Sequence, residues 1–450
     1  MFRTVELPLW LLVLVLLFAA VTFASHFLFP SVRWFFRRRM ERVVAKLNDR
    51  LERPIQPFKL ARRYDMIQRL IYDPKVAEAI AEHAREEDVP EAVAFERARR
   101  YAREIVPSFS ASMYFGFAIK LARWLSQKLY TVHLDDANDA ALKAIDGDAT
   151  VVFVMNHRSN MDYVLVTYLV AERSALSYAV GEWARVWPLS WLIKTMGAYF
   201  IRRKSRNSLY RRVLARYVQL ATKGGVTQAM FPEGGLSLDG TMGAPKLGLL
   251  SYIISDFKPG EDPDVVFVPV ALNYDRVLED RVLINAAAKG ERKFRASVIG
   301  FIWFVMRYVW RRFRGTAVRF GHAAVGYGEP FSLTRYLYNH DGDPTKGIGL
   351  EVRQRIMDVI PVLPVSIIAY VIAQSGGQIT RIDLADKLEA LLGARPHRSM
   401  PSPKDATEEA LASLISRQIV KDTSAGIVVN QENRVLLEYY ANSVAHHFEA

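Results

Sequence analysis

His157 and Asp162 are the side chains of this 450-residue chain whose types and spacing best fit a proton-transfer step. They stand five positions apart in Asn156-His157-Arg158-Ser159-Asn160-Met161-Asp162, directly after the apolar run Thr150–Met155. A neutral imidazole takes up a proton near physiological pH, and does so better when its other nitrogen donates to a carboxylate that fixes the tautomer. On one continuous helix, positions i and i+5 diverge by about 140°. The pair therefore needs a strand that ends before His157, a loop, and a new helix with Asp162 in its first turn. Ser159, three residues before Asp162 and ahead of an apolar run, is a helix-start signal of that kind. The same residues also fit a plainer use, with Asp162 only a cap and His157 a loop residue at the surface. The heptapeptide alone leaves both readings open.

Two later segments extend the pattern. Arg202 and Arg203 close the stretch Gly197–Arg203, and guanidinium groups grip phosphate through paired hydrogen bonds. The alternative is a basic lead-in to the helix expected over Ser208–Leu220. Phe231-Pro232-Glu233-Gly234-Gly235 follows a short apolar run. Gly234 and Gly235 let a ligand approach the backbone and leave N–H groups for an anion. Glu233 is placed to hold a substrate hydroxyl, and Lys246 adds a cation further on. The alternative here is an ordinary glycine turn. With no cysteine in the chain, thiol nucleophiles, disulfides and thiolate metal sites are excluded. A base and a phosphate grip in this order point to acyl transfer onto a hydroxyl.

The elements that must position these residues follow from periodicity. From about residue 136, short β-branched runs alternate with helical stretches. Strands are expected at Thr150–Met155, Gln228–Phe231, Val265–Val270 and Val318–Phe320, with helices at Tyr163–Ala171 and Ser208–Leu220. This predicts an α/β domain over 136–338 with a mixed, largely buried sheet. Residues 31–135 read as helical, punctuated by Pro74, Pro90 and Pro107. Residues 345–450 follow a linker at Asn339–Pro344. They read as helices at Gly347–Asp358, Ile382–Leu392 and Thr407–Gln418 and a hairpin through Val420–Leu437, a winged-helix-like order. Without a basic run on the second helix, nucleic acid is not expected as a partner.

The charge of +13 is concentrated rather than spread. Between Ser31 and Arg63 there are eleven Lys/Arg against three Asp/Glu. Just before it, Leu7–Pro30 contains no Asp, Glu, Lys or Arg, and 24 residues of helix span a ~30 Å hydrocarbon core. Residues 1–30 are thus expected to form a transmembrane anchor, with the following arginines on the cytoplasmic side. A cleaved signal peptide fits less well, because the residues before the apolar run carry no net side-chain charge. A second apolar stretch, Val298–Met306, ends in arginines and is too short to span. It reads either as an interfacial helix or as a core helix.

Asn156–Tyr163 resembles the first conserved block of the membrane-bound glycerol-3-phosphate acyltransferases, a family related to the dihydroxyacetone-phosphate acyltransferases. Gly197–Arg203 resembles the second block, Phe231–Gly235 the third, and Val268-Pro269-Val270 with Tyr274-Asp275 the fourth. Tyr101–Ile105, Trp124-Leu125 and Tyr439–His446 resemble regions outside the blocks. The resemblance implies an acyltransferase domain that moves a fatty acyl group from acyl-CoA or acyl-carrier protein to the sn-1 hydroxyl of glycerol 3-phosphate. It implies His157 as general base, Asp162 as its partner, no metal, and no cofactor beyond the acyl donor as co-substrate. It further implies that Arg202, Arg203 and the third block hold phosphate and glycerol, with Asn156, Arg158, Ser159, Glu233, Gly234, Gly235, Ser237 and Lys246 around the substrate, and membrane lipid as the setting. One departure stands out: Leu236 and Leu238 occupy positions where the family often has arginine. A leucine cannot bind phosphate, which keeps open a lysophospholipid as acceptor. A non-catalytic, membrane-anchored lipid-binding protein is the alternative of another class.

Overall fold

In a computed structural model of the chain, the described residues are 8–135, 137–170, 174–181, 185, 187, 189–202, 205–290, 310, 319–394 and 403–449, without the side chains of 20, 21, 23–37, 40, 394 and 403–405. Two compact units divide at Ile55. The first contains one helix, Leu9–Asn48. Among the described residues no helix is long and apolar enough to cross a membrane, so the anchor expected over 1–30 has no support here. Residues 1–7 of that stretch and the side chains of 20, 21 and 23–30, as well as all of Val298–Met306 with its arginines, lie outside the described residues.

The second unit is built on a mixed sheet. Its strands are β1 (Thr131–Leu134), β2 (Thr150–Met155), β3 (Ser177–Gly181), β4 (Tyr199–Ile201), β5 (Gln228–Met230), β6 (Val265–Tyr274), β7 (His322–Tyr327) and β8 (Phe331–Ser332). They run in the order β1-β7-β6-β2-β5-β3-β4, with β8 beside β6. Strands β6, β2, β5, β3 and β4 are parallel, and β7 is antiparallel to β6. The parallel strands point their carboxyl ends to one edge, where open α/β sheets bind ligands. The expected strand over Val318–Phe320 is displaced: Arg319 and Phe320 are not strand, and β7 starts at His322.

Strand β2 is buried along its whole length, which explains its unbroken apolar sequence. Its side chains alternate between two cores. Val151, Phe153 and Met155 enter one, Val152 and Val154 the other. The second core is closed by the helices Arg63–Ile71, Pro74–Glu86, Glu91–Ile105, Ser208–Lys223 and Pro344–Asp358. The first is closed by Met161–Leu169 and by the C-terminal helices, among them Pro364–Gln374, which is apolar all round and buried. The C-terminal hairpin is β10 (Val420–Thr423) and β11 (Gly426–Val429), with β9 (Gln378–Ile379) as a third strand. It stops short of the expected Leu437. Arg434–Ala445 is helix, because Leu436, Leu437, Tyr440 and Val444 recur at helical spacing and bury against the first core.

Candidate active site

His157 follows β2 by two residues, and Asp162 lies in the first turn of the helix Met161–Leu169. Nδ1 of His157 is 2.9 Å from Oδ2 of Asp162. Three more donors reach that carboxylate: the backbone N–H of Arg158 (2.7 Å) and of Ser159 (3.0 Å) at Oδ2, and the Tyr274 hydroxyl (2.7 Å) at Oδ1. Asp162 therefore both partners the imidazole and accepts the N–H groups that lead into the helix, whose N-cap residue is Asn160. With Nδ1–H donating to Asp162, the lone pair is on Nε2. Nε2 has no hydrogen-bond partner among the described residues. The ring is clamped, stacked on Phe231 at 4.1 Å and met edge-on by Tyr163 at 5.6 Å.

The loop that carries His157 is pinned from four sides. Asn156 pairs both ends of its amide with Leu272, accepting from its N–H at 2.7 Å and donating to its carbonyl at 3.0 Å, as a strand peptide would. Glu233 accepts the His157 N–H at Oε1 (2.8 Å) and the Gly243 N–H at Oε2 (2.9 Å). Ser237 N–H donates to the His157 carbonyl at 2.9 Å. Glu279 accepts from the Ser159 hydroxyl (2.7 Å) and from the Asn160 amide (3.0 Å). Burial raises both Glu233 and Glu279 above the usual carboxylate range, and these hydrogen bonds oppose that rise.

Several residues expected around the substrate bond to the protein itself in this structure. Glu233 accepts a backbone N–H at each oxygen and so holds the loop. Asn156 and Ser159 also bond within the protein. Ser237 Oγ donates to Thr241 O and accepts from Gly240 N–H. The Arg158 guanidinium is buried, donates to Gly240 O and lies over the Tyr439 ring. Lys246 does come to the third block: its N–H donates to Pro232 O, and its side chain lies where a Cβ on Gly234 would go. Gly234 has φ of 64°, which favours glycine, and the space beside Gly235 is open.

Arg202 is not gathered to His157. It follows β4, three strands from β2, about 14 Å across the sheet. Its guanidinium pairs bidentately with Glu104, Nε to Oε1 at 2.9 Å and Nη2 to Oε2 at 2.7 Å, between the rings of Tyr101 and Tyr210. The Glu104 pair raises Arg202 further above its ordinary value. Arg203 lies outside the described residues. Leu236 and Leu238 pack against the first core, so neither offers a polar group. Among the described residues, no three His, Cys, Asp or Glu side chains are grouped to hold a metal ion.

Residues 130–273 match the family model of the acyltransferases, and residues 305–450 match that of the glycerol-3-phosphate acyltransferase C-terminal region. The chain thus carries an acyltransferase domain followed by a region similar to the glycerol-3-phosphate acyltransferase C-terminal region. Proteins named glycerol-3-phosphate acyltransferase from Ectopseudomonas mendocina and Pseudomonas aeruginosa are each 28% identical, covering 86% of this chain and 49% of their own length. One from Aeromonas hydrophila, also 28% identical, covers 87% of this chain and 50% of its own. The chain thus spans about half the length of the curated relatives it matches. The solved 1-acyl-sn-glycerophosphate acyltransferase of Thermotoga maritima aligns over 54% of this chain and 77% of its own, at 18% identity and a TM-score of 0.33, a likeness too slight to bear on the fold.

In this acyltransferase domain, three supports had no assigned role in the sequence reading. Tyr274 stands two residues beyond Leu272 on the same face of β6, which was the available signal for it. Glu279 and Tyr439 come from a turn and a helix whose approach to the loop no local pattern encodes.

Proposed function

We propose that the protein transfers a fatty acyl group from a thioester donor, acyl-CoA or acyl-carrier protein, to the sn-1 hydroxyl of glycerol 3-phosphate. The observation that carries this reading is the His157–Asp162 pair, with Nδ1 tied down at 2.9 Å and Nε2 left without a partner among the described residues. The acceptor hydroxyl donates to Nε2 and its oxygen attacks the thioester carbonyl carbon. The proton passes to Nε2 as the C–O bond forms. Collapse of the tetrahedral intermediate breaks the C–S bond, and the imidazolium returns its proton to the departing thiolate. Asp162 steadies the imidazolium and keeps the ring in one orientation.

The acceptor assignment is supported by the C-terminal family match and by the relatives' names. For the phosphate, Lys246, whose side chain lies against Gly234, is a cation beside the third block. Membrane attachment through the uncharged stretch Leu7–Pro30, with the catalytic domain on the cytoplasmic face, is supported by sequence alone. The test is thiol release by purified protein offered glycerol 3-phosphate and lysophosphatidate separately. Turnover with glycerol 3-phosphate, lost by at least ~10²-fold in His157→Ala, is expected. Turnover with lysophosphatidate alone would replace the acceptor. A fully active His157→Ala variant would remove the mechanism.

A further inference from the structure

The helix Arg434–Ala445 meets the His157 loop from both sides. On one side, Tyr439 lies under the Arg158 guanidinium, ring centroid to Cζ 5.2 Å, and Asn442 Nδ2 donates to Asp239 O at 2.9 Å. Gly240, whose carbonyl accepts from Arg158, has φ of 91° and no room for a Cβ, because the Tyr439 carbonyl is there. On the other side, the neighbouring Tyr440 donates to Asp280 Oδ2 at 2.5 Å and accepts from Val277 N–H at 3.1 Å. Those contacts bracket Glu279, the carboxylate that holds Ser159 and Asn160.

Arg158 is the link that reaches the chemistry. Its backbone N–H donates to Asp162 Oδ2, the same oxygen that faces His157. The residue is 3% exposed, and Nε and Nη2 have no hydrogen-bond partner among the described residues. A buried guanidinium with one carbonyl acceptor and no carboxylate bonded directly to it among the described residues is a costly arrangement. Besides the longer-range pull of Glu233, the Tyr439 face offers the cation a favourable contact. With that face removed, the guanidinium gains by leaving the site for water, and the Arg158 backbone moves with it.

We infer that Tyr439 is a positioning residue for acyl transfer: through the Arg158 side chain, the C-terminal helix sets the Arg158 N–H on Asp162 and so orients the His157 ring. This inference rests on His157 as the base. It goes further in making the C-terminal region part of the site, so that the acyltransferase domain is not competent without it. The ring matters here and the hydroxyl does not, since Tyr439 Oη has no hydrogen-bond partner among the described residues.

The experiment compares Tyr439→Phe, Tyr439→Leu and Asn442→Ala in the full chain, with His157→Ala alongside and thermal unfolding measured on each. Tyr439→Phe should stay within ~2-fold of the parent rate. Tyr439→Leu, which keeps apolar bulk but loses the π face, should lose about 10-fold or more in kcat. The acid limb of its rate–pH profile should move to higher pH, because a lost N–H donor leaves more negative charge opposite the imidazole. A smaller folded fraction would lower the rate equally at every pH. Asn442→Ala should lie between the two. Parent kcat and an unmoved profile in Tyr439→Leu, or equal losses in Phe and Leu, would overturn the inference while leaving the proposed reaction standing. An active His157→Ala would instead overturn the reaction itself.

Discussion

The Tyr274 hydroxyl donates to Oδ1 of Asp162 at 2.7 Å, on the oxygen opposite the one that faces His157. Both ends of the carboxylate are therefore fixed and it cannot pivot away from the imidazole. Tyr274→Phe leaves Oδ1 without its partner in a site closed to water. A loss of about 1–3 kcal/mol in unfolding free energy is expected, with a drop in kcat of ~3-fold or more. Denaturant titration and steady-state kinetics on the same preparation check both, and a parent kcat would confine Tyr274 to the fold.

Asp162→Asn separates the cap from the base's partner. Asparagine caps helices about as well as aspartate, so a mere cap would cost little rate. As the imidazole's partner, Asp162 makes the variant lose at least ~10²-fold in kcat. A full-rate variant would reduce Asp162 to a cap.

Glu233→Gln replaces a carboxylate that accepts two backbone N–H groups with an amide that accepts one. The amide's own N–H then faces a donor. The His157 loop should shift, with kcat reduced ~10-fold or more and the KM for glycerol 3-phosphate within ~3-fold. A selective rise in that KM would restore the substrate-hydroxyl contact expected from sequence.

Arg202→Ala is expected to act on stability first. It leaves the buried Glu104 with Arg185 at 2.8 Å as its ion-pair partner among the described residues, and Lys194 acting on it from further off. The loss should be about 1–3 kcal/mol, the cost of stranding a largely buried, hydrogen-bonded charge. A rise in acceptor KM without loss of stability would show that Arg202 leaves Glu104 for the phosphate during turnover.

Asp275 makes stability depend on pH. Burial lifts its carboxyl from 3.8 to about 7, against the pull of the Val365 and His322 N–H groups. The folded chain thus holds this proton to higher pH than the unfolded chain does. The contribution is complete below pH ~4 and is lost as pH rises through ~7, amounting to at most about 4 kcal/mol. Asp275→Asn lowers stability overall by spoiling one acceptor, and it should also flatten this decline. Urea midpoints at pH 5 and pH 7.5 for both proteins test the slope. An equal decline in the variant would assign it to other groups.

The legibility of the fold in the sequence tracks the strength of local signals. Strand β2 and the helix after it were readable, because a run of β-branched residues followed by Ser159 and Asp162 encodes both elements and the break between them. Strands β3 and β4 escaped: β4 is three residues long, and Ser177–Gly181 contains only one β-branched residue. Val435–Leu437 read as strand because the pattern of the next turn counts as much as the three residues themselves. In the site, the His157–Asp162 pair was legible because its partners are five positions apart. Tyr274 is 112 positions from Asp162, and Glu279 is 120 from Ser159, distances at which no residue pattern names a partner. Glu233 and Arg202 were legible as residues, but their bonds to the His157 loop and to Glu104 were not, since sequence shows which groups can bind and not which partners the fold brings to them.

The distances along the chain between His157 and its supports give the protein a history during synthesis. His157 and Asp162 emerge from the ribosome ahead of their supports, and the short loop between them can form at once. Glu233, Tyr274 and Glu279 follow, and the helix Arg434–Ala445 arrives later still. A nascent chain therefore holds the reactive pair well before anything fixes it in place. Such non-local pairings close slowly. The site is assembled in an order that leaves the pair unsupported until the helix Arg434–Ala445 has docked, and on refolding the recovery of helix should run ahead of the recovery of the proposed activity.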